Sequence, residues 1–282
     1  MTTLTTSTRT EGRTVRANGI DIHYVEEGQG EPLVLLHGGF VSTGPIWEGT
    51  PFAYSTYMDF FAKHFRVIAP DTRGCGRSGR GHQPAVFSTL ADDVAALIDV
   101  LNLDRPVVCG FSEGGCTASV FGIRHPGAAR AIVNHAGYDL LNPGAGIFEL
   151  GRQMMGGSPE ATRADESAFV RFFQQSDEMS GMLALMRQER AANGEPGLGA
   201  FLDCAFPRFS TPPGYAFADL ARVTAPMLIL VGDRDHFCSV EEGIQAYRAL
   251  PFGEFAVLPN SEHMLTEAAI DASIEFLSRH MG

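Results

Sequence analysis

Short runs of consecutive apolar residues, separated by amphipathic stretches, constrain the fold of this chain more than any other feature. The runs are residues 33–36, 66–70, 107–109, 131–133, 227–231 and 255–258. Continuous apolar runs are typical of strands that are covered on both faces, as in a parallel sheet. The stretches with a helical spacing of apolar residues are 90–101, 114–124, 240–250 and 265–280. This alternation predicts an α/β fold with a doubly wound, mostly parallel sheet.

The beginning of the chain departs from that alternation. Residues 14–26 alternate apolar and polar side chains around Asn18-Gly19, a pattern that predicts a β-hairpin. Residues 1–12 are rich in threonine and lack an apolar segment, so we expect a flexible tail rather than a signal peptide or a membrane anchor. Elsewhere no run approaches the ~18 apolar residues that a membrane-spanning helix needs.

The net charge limits which partners are expected, and the cysteine content indicates the cellular compartment. The 282 residues include 21 Lys and Arg against 33 Asp and Glu, a formal net charge of −12. That charge disfavours nucleic acid and anionic membrane surfaces as partners. The cysteines number five, and none belongs to a CxxC pair, which favours free thiols in the reducing cytoplasm. A small molecule is the expected partner, and the oligomeric state stays open.

Residues 138–215 interrupt the alternation with helical patterns and loops. We predict that they form a helical cap over the carboxyl edge of the sheet, inserted into a core of residues 13–137 and 216–282. The segment's methionines and phenylalanines include Met154, Met155, Met179, Met182, Met186, Phe148, Phe169, Phe172, Phe173, Phe201, Phe206 and Phe209. Most are expected to pack a small core of the cap, and the others to line an apolar pocket, since Met and Phe adapt to irregular ligands.

A serine lies where a predicted strand meets a predicted helix. Residues 110–114, Gly-Phe-Ser-Glu-Gly, form a GxSxG motif. The motif directly follows the strand at 107–109 and opens the helix at 114–124, which is the setting of a nucleophile elbow. So tight a turn needs small residues two positions before and after the serine, and Gly110 and Gly114 meet that need. Ser112 is therefore the predicted nucleophile.

A serine hydroxyl is a weak nucleophile and needs a general base. Among the nine histidines, His263 is the candidate because it follows the last predicted strand, and functional loops lie at the carboxyl ends of such strands. His37 also follows a strand, but it belongs to a glycine-rich turn. The histidines interpreted as surface residues, in or at the ends of predicted helices, are His64, His125 and His280.

The base in turn needs a carboxylate on its second ring nitrogen. Two aspartates follow the strand at 227–231, and we favour Asp235, which lies farther into the loop. Asp233 is the alternative, with a turn cap or a pair with Arg234 as its other role. Asp139, which follows the strand at 131–133, is a rival for the same role.

Acyl transfer to a serine creates an oxyanion that needs two hydrogen-bond donors. The backbone N–H of Glu113, the residue after the nucleophile, is one predicted donor. The second is expected from the loop after the first buried strand, residues 37–40, His-Gly-Gly-Phe. Gly39 N–H is the first choice and Phe40 N–H the second.

Five stretches, spread over nearly all of the chain outside 138–215, resemble landmarks of the α/β-hydrolase family. In chain order they are residues 37–39, 71–78, 110–115, 232–235 and 261–263. The order Ser, Asp, His also matches that family. The resemblance implies acyl transfer through a covalent serine ester, a structural loop at 71–78, and no metal or organic cofactor. A serine at the elbow is unlike the Asp or Cys of dehalogenases, epoxide hydrolases and dienelactone hydrolases.

The expected substrate is a small carboxylic ester or a lactone. The alternatives that remain open are a C–C bond hydrolase, a lyase or a cofactor-free haloperoxidase on the same triad, and a ligand receptor with weak hydrolase activity. The turn at 38–41 lacks the longer glycine-rich oxyanion loop of C–C bond hydrolases, which disfavours that class.

The acidic residue after the nucleophile adds a local resemblance. Glu113 stands where biphenyl-hydrolase-like amino-acid-ester hydrolases carry Asp, and where Met is frequent in the wider family. Its side chain has two expected roles. It either faces the acyl pocket, where it would attract an α-amine, or points away in the first helical turn, where the helix dipole favours a negative charge and an arginine can pair with it.

Overall fold

The computed structural model describes residues 12–48, 50, 54–138, 141–142, 146–154, 156–158, 161, 165–195 and 197–281. Eight strands form one sheet: β1 (Arg13–Ala17), β2 (Ile20–Glu27), β3 (Pro32–Leu36), β4 (Arg66–Pro70), β5 (Val107–Phe111), β6 (Ile132–His135), β7 (Met227–Gly232) and β8 (Gly253–Leu258). Their order is β1-β2-β4-β3-β5-β6-β7-β8. Strands β3 to β8 run parallel, while β1 and β2 are antiparallel to their neighbours. The predicted doubly wound, mostly parallel sheet is confirmed.

The predicted hairpin is present at the edge of the sheet. Strands β1 and β2 pair with Ala17 opposite Ile20. The two turn residues, Asn18 and Gly19, have φ angles of 43° and 77°. A two-residue turn with both φ angles positive matches the twist of the strands, and Asn-Gly is the pair that adopts it most readily. The predicted tail at 1–12 lies outside the described residues, except for Gly12.

Helices cover both faces of the sheet. The helices among the described residues are α1 (Tyr54–Phe61), α2 (Phe87–Val100), α3 (Glu113–Arg124), α4 (Gly146–Met154), α5 (Ser167–Phe173), α6 (Asp177–Ala192), α7 (Gly199–Ser210), α8 (Val240–Ala249) and α9 (Glu267–His280). Short 3₁₀ turns lie at Pro45–Trp47 and Phe217–Arg222. The amphipathic stretches predicted as helices correspond to α2, α3, α8 and α9. Helix α1 was not predicted, because eight residues offer little periodicity.

Alternate residues of the parallel strands enter two separate apolar clusters. One face, including Val34 and Val108, packs against α2, α3 and α8. The other face, including Leu35 and Val107, packs against α1 and α9. Burial on both faces explains why these strands read as continuous apolar runs.

The described part of residues 138–215 contains helices α4 to α7 and no strand. Most of its large apolar side chains form a third cluster, which also takes in Val41, Trp47 and Cys75 from the loops after β3 and β4. The segment therefore lies over the carboxyl edge of those strands. Phe148 packs instead with the first cluster, and Met155 lies outside the described residues. We call α4 to α7 the cap from here on, and its boundaries stay a prediction.

Two further expectations concern helices and cysteines. Among the described helices, none is long and apolar enough to cross a membrane. Each of the five cysteines, all of them in the described part of the chain, carries a free thiol.

Candidate active site

Ser112 lies at a strained turn between β5 and α3. Its φ and ψ angles are 53° and −118°, a combination that costs free energy for any residue with a side chain and that is found at nucleophile elbows. The flanking glycines are required sterically. A Cβ on Gly110 would lie 2.1 Å from the carbonyl oxygen of Gly114, and one on Gly114 would lie 2.3 Å from that of Leu36. The turn therefore closes only with glycine at both positions.

The structure brings Ser112, His263 and Asp235 into one hydrogen-bonded row. His263 Nε2 is 2.9 Å from Ser112 Oγ, and His263 Nδ1 is 2.8 Å from Asp235 Oδ2. A carboxylate only accepts hydrogen bonds, so Nδ1 carries the proton and Nε2 is left to accept from the serine hydroxyl. This tautomer is the one that a general base needs.

Asp235 is held as an ionised, fixed acceptor. Its Oδ1 accepts hydrogen bonds from the backbone N–H of Phe237 (2.8 Å) and of Cys238 (2.9 Å). Burial by itself raises the pKa of Asp235, but the hydrogen bond and charge of His263, with the two N–H groups, outweigh it and hold the pKa below its usual value.

Asp233, the alternative to Asp235, holds two loops together. Asp233 Oδ1 accepts from the backbone N–H of Ser261 at 3.1 Å, so this carboxylate ties the loop after β7 to the loop after β8. The N–H of Arg234 donates to the carbonyl oxygen of Ser261 and adds to the link. Asp139 lies outside the described residues.

Aromatic rings enclose the imidazole of His263. The ring of Phe111 lies 5.0 Å from it and that of Phe237 lies 4.9 Å away, centroid to centroid. Phe111 also contacts His135, at 5.2 Å. His135 is buried at the end of β6, and burial lowers its pKa to about 3, with the neighbouring His263 adding to the effect. Sequence reasoning missed both: Phe237 lies two positions after Asp235, and His135 lies two positions beyond the strand predicted at 131–133.

The glycine-rich turn after β3 lies beside the nucleophile. A Cβ on Gly38 would lie 3.6 Å from Ser112 Cβ. His37 pins the turn: its Nδ1 is 2.7 Å from the Gly38 carbonyl oxygen, and its Nε2 accepts from Thr72 N–H at 2.9 Å. Phe40 follows with a φ angle of 70°. The turn thus lies beside Ser112, and the backbone N–H groups of Gly39 and Phe40 stay predicted donors to the oxyanion.

Glu113 pairs with an arginine of the cap. Its Oε2 accepts a hydrogen bond of 2.7 Å from Nε of Arg208, and both side chains are buried. Of the two roles expected for this carboxylate, the structure shows the pair with an arginine. Nothing in the sequence points to Arg208, since it lies 95 positions away in a segment without a recognisable motif.

One group of side chains near the site has the composition of a metal site. Ligand atoms of Asp235, Cys238 and His263 lie within 4.8 Å of one another, the one such group in the described part of the chain. Asp235 and His263 already share a hydrogen bond, and an ion between them would displace the proton that sets the tautomer of the base. The hydrogen bond between Asp235 and His263 is the one that proton transfer by a histidine base requires.

Comparison with known proteins agrees with this architecture. Residues 31–268 match the family model described as the alpha/beta hydrolase fold. A thermophilic esterase from Thermogutta terrifontis superposes with a TM-score of 0.73 at 22% identity, covering 96% of this chain and 100% of that one. At that identity the likeness concerns the fold.

Two relatives show how similarity is distributed along the chain. A 2-hydroxy-6-oxo-2,4-heptadienoate hydrolase from Pseudomonas putida strain F1 is 38% identical over 127 residues, which is 43% of this chain and 43% of that protein. The match therefore spans less than half the length of that relative. The AB hydrolase superfamily protein YisY from Bacillus subtilis is 27% identical over 252 residues, 85% of this chain and 88% of that protein. With the family model matched over most of its length, the chain belongs to the α/β-hydrolase fold family.

Proposed function

We propose that this protein is a serine hydrolase that cleaves a small carboxylic ester or a lactone through Ser112, His263 and Asp235. The observation that carries the proposal is the unbroken hydrogen-bonded row of these three side chains, with the serine at an elbow whose strain has no other evident use. The proposed reaction needs no metal or organic cofactor.

The proposed reaction proceeds through an acyl-enzyme. Ser112 Oγ attacks the substrate carbonyl as His263 Nε2 takes its proton, and Asp235 stabilises the imidazolium. The N–H of Glu113 and that of Gly39, with Phe40 as the alternative, donate to the oxyanion. As the acyl C–O bond breaks, the imidazolium protonates the departing oxygen, which leaves as an alcohol or stays attached as the hydroxyl group of an opened lactone. Water, deprotonated by His263, then attacks the ester carbonyl, and His263 returns that proton to Ser112 Oγ as the acid is released.

The cap is proposed to set which acyl group enters. It covers the carboxyl edge of the sheet, and its apolar cluster includes flexible side chains such as Met179 and Met182 at its margin. The free thiols support a cytoplasmic location.

A fluorophosphonate probe tests the nucleophile. We expect intact-mass measurement to show one adduct, peptide mapping to place it on Ser112, and Ser112→Ala to remove both the adduct and p-nitrophenyl ester turnover. In an unrelated hydrolase the equivalent loss reaches on the order of 10⁶ in kcat. A Ser112→Ala variant that is still labelled and still turns over would refute the proposal.

C–C bond hydrolysis is the second candidate, because the Pseudomonas putida relative bears that type of name. A vinylogous diketone assayed beside matched esters and lactones distinguishes the two. Turnover of the diketone with kcat/KM well above that of every ester would move the assignment to the second candidate.

A further inference from the structure

Two consecutive residues of cap helix α7, Arg208 and Phe209, contact both sides of the proposed oxyanion hole. We propose that they are positioning residues for it: Arg208 holds the side of Glu113, and Phe209 holds the side of Gly39 and Phe40. The inference rests on the proposed serine hydrolase function. It means that the packing of the cap against the core, and not the sheet alone, sets the geometry of the oxyanion donors.

The first contact is a buried ion pair. The Arg208 and Glu113 side chains are 0% and 1% exposed, with Nε 2.7 Å from Oε2. Burial by itself lowers the pKa of Arg208, but Glu113 outweighs it and the pKa is raised. Removing one partner of such a pair leaves an uncompensated buried charge. Glu113 is the first residue of α3 and directly follows Ser112, so a force on its side chain is transmitted to the proposed donor N–H.

The second contact is aromatic. The Phe209 ring is stacked on that of Phe40, with centroids 4.7 Å apart and planes at 20°. Phe40 is also edge-on to Phe169, Phe173 and Phe201 of the cap. Its left-handed φ of 70° is costly for a residue with a side chain. The cap cluster therefore compensates a strained backbone next to the proposed donors.

Both contacts converge on Gly39. A Cβ at this position would lie 2.7 Å from Phe209 Cζ and 3.3 Å from Glu113 Oε2. The Arg208 guanidinium also lies 5.5 Å from the centroid of the Phe209 ring. Glu113, Gly39, Arg208 and Phe209 thus form one packed group, and a shift of α7 moves both proposed donors together.

One detail separates this group from ordinary packing. Within the described residues, Glu113 Oε1 and Arg208 Nη1 are buried and lack a hydrogen-bond partner. Apolar side chains of the same size would stabilise this location at least as well. A role in positioning gives a reason for keeping the charged pair there.

The test compares Arg208→Met, Arg208→Lys and Phe209→Leu with Arg190→Met. Arg190 is a matched control, because it is also a buried cap arginine over an aromatic ring, 4.7 Å from the centroid of Phe201, but its ion-pair partner is Glu195. Each variant is assayed for kcat, KM, Tm and two inhibition constants. One inhibitor is an alkylboronic acid, which forms a tetrahedral adduct on serine with an oxygen in the oxyanion hole, and the other is the product carboxylate.

Loss of a whole oxyanion donor costs about 10²–10³ in kcat, so misplacing the donors should cost about 10- to 100-fold. We expect that loss in Arg208→Met and Phe209→Leu, with KM within about threefold of wild type, since the interaction acts in the transition state. Boronate affinity should fall by a similar factor, and product affinity should hold. Arg208→Lys should recover part of the loss, and Arg190→Met should lower Tm without the selective loss of boronate affinity.

The outcomes are separable. If both inhibitors weaken equally in Arg208→Met, or Arg190→Met shows the same selective loss, the residues act through cap stability and the inference fails. If Ser112 is labelled in wild type but Phe209→Leu keeps wild-type kcat, the inference fails while the proposed function stands. If Ser112→Ala retains turnover, the proposed function fails first. Phe209→Leu, which keeps the ion pair, also covers the case in which Arg208→Met does not fold.

Discussion

The sheet edge and the cap hold their parts of the site by different means. At the sheet edge, Ser112, Asp235 and His263 follow strands β5, β7 and β8, and hydrogen bonds to backbone groups hold Ser112 and Asp235. Ser112 N–H donates to the His135 carbonyl oxygen at 2.8 Å, and the Asp235 carboxylate accepts two backbone N–H groups. In the cap, Arg208 and Phe209 contact the residues of the proposed oxyanion hole through their side chains, by an ion pair and a stacked ring.

The difference bears on which part of the site tolerates change. Backbone geometry at a strand end depends on many residues at once, so the triad positions follow from the fold itself. Side-chain contacts between the cap and the core depend on two or three residues each, and different residues can replace them. We therefore expect substitutions at the sheet edge to abolish activity and substitutions in the cap to tune it.

The largest expected effect tests the sheet edge. Asp235→Asn removes the acceptor that fixes the tautomer of His263, and in an unrelated protease the same change costs on the order of 10⁴ in kcat. We expect a loss of at least ~100-fold in kcat/KM, with an unchanged circular dichroism spectrum. Asp233→Asn is the matched control, because its carboxylate only links two loops. Asp139→Asn covers the rival position, and a larger loss there than in Asp235→Asn would contradict the assignment.

A pair of glycines sharpens the comparison in terms of stability. A methyl group at Gly110 would lie 2.1 Å from the Gly114 carbonyl oxygen, whereas one at Gly181, inside cap helix α6, would meet no atom within 4 Å. We expect Gly110→Ala to lower the free energy of unfolding by about 3 kcal/mol or more and to displace Ser112. Gly181→Ala should raise it by about 0.5–1 kcal/mol. Urea unfolding measures the two free energies, and equal effects would show that the elbow has room for a methyl group.

Two buried titratable groups, one from each region, should respond to pH in opposite directions. His135, at the sheet edge, has a pKa of about 3 against 6.5 for the free side chain. Between those values the unfolded chain binds a proton that the folded chain does not, so stability falls as the pH falls, by up to about 1.4 kcal/mol per unit. Glu189 of the cap has a pKa raised chiefly by burial. The folded chain therefore holds this proton more tightly than the unfolded chain, and the stability that Glu189 contributes is lost as the pH rises.

Unfolding midpoints in urea between pH 5 and 7.5 test this contrast. His135→Leu should flatten the loss of stability below pH 6.5, and Glu189→Gln should flatten the loss as the pH rises through the raised pKa of that carboxyl group. The slopes matter here rather than the absolute stabilities, which each substitution also changes through packing. Parallel curves for His135→Leu and wild type would show that His135 is not buried as a neutral ring.

Most of the sheet, and Ser112 and His263 of the candidate triad, followed from local patterns. The parallel strands β3 to β7 are largely buried and contain the apolar runs, while the edge strand β8 is only half buried. Because the carboxyl ends of parallel strands meet at one edge, Ser112 and His263 were expected there together. Helix α1 was missed because eight residues with aromatic side chains carry too little periodicity. Its helical state depends on packing against β4 and α9.

What the sequence determined by itself is the set of groups at the sheet edge, because strand ends and tight turns impose residue types that are visible along the chain: glycines around Ser112, and polar residues after apolar runs. Only the tertiary structure decided that Asp235 rather than Asp233 faces His263, and that Glu113 turns to Arg208. Asp233 and Asp235 lie two positions apart on the same loop. Which of them faces His263 depends on how the loops after β7 and β8 pack against each other. The partner of Glu113 belongs to a cap helix 95 positions away. Local spacing in the sequence does not indicate which side chain the packing of the cap places beside Glu113.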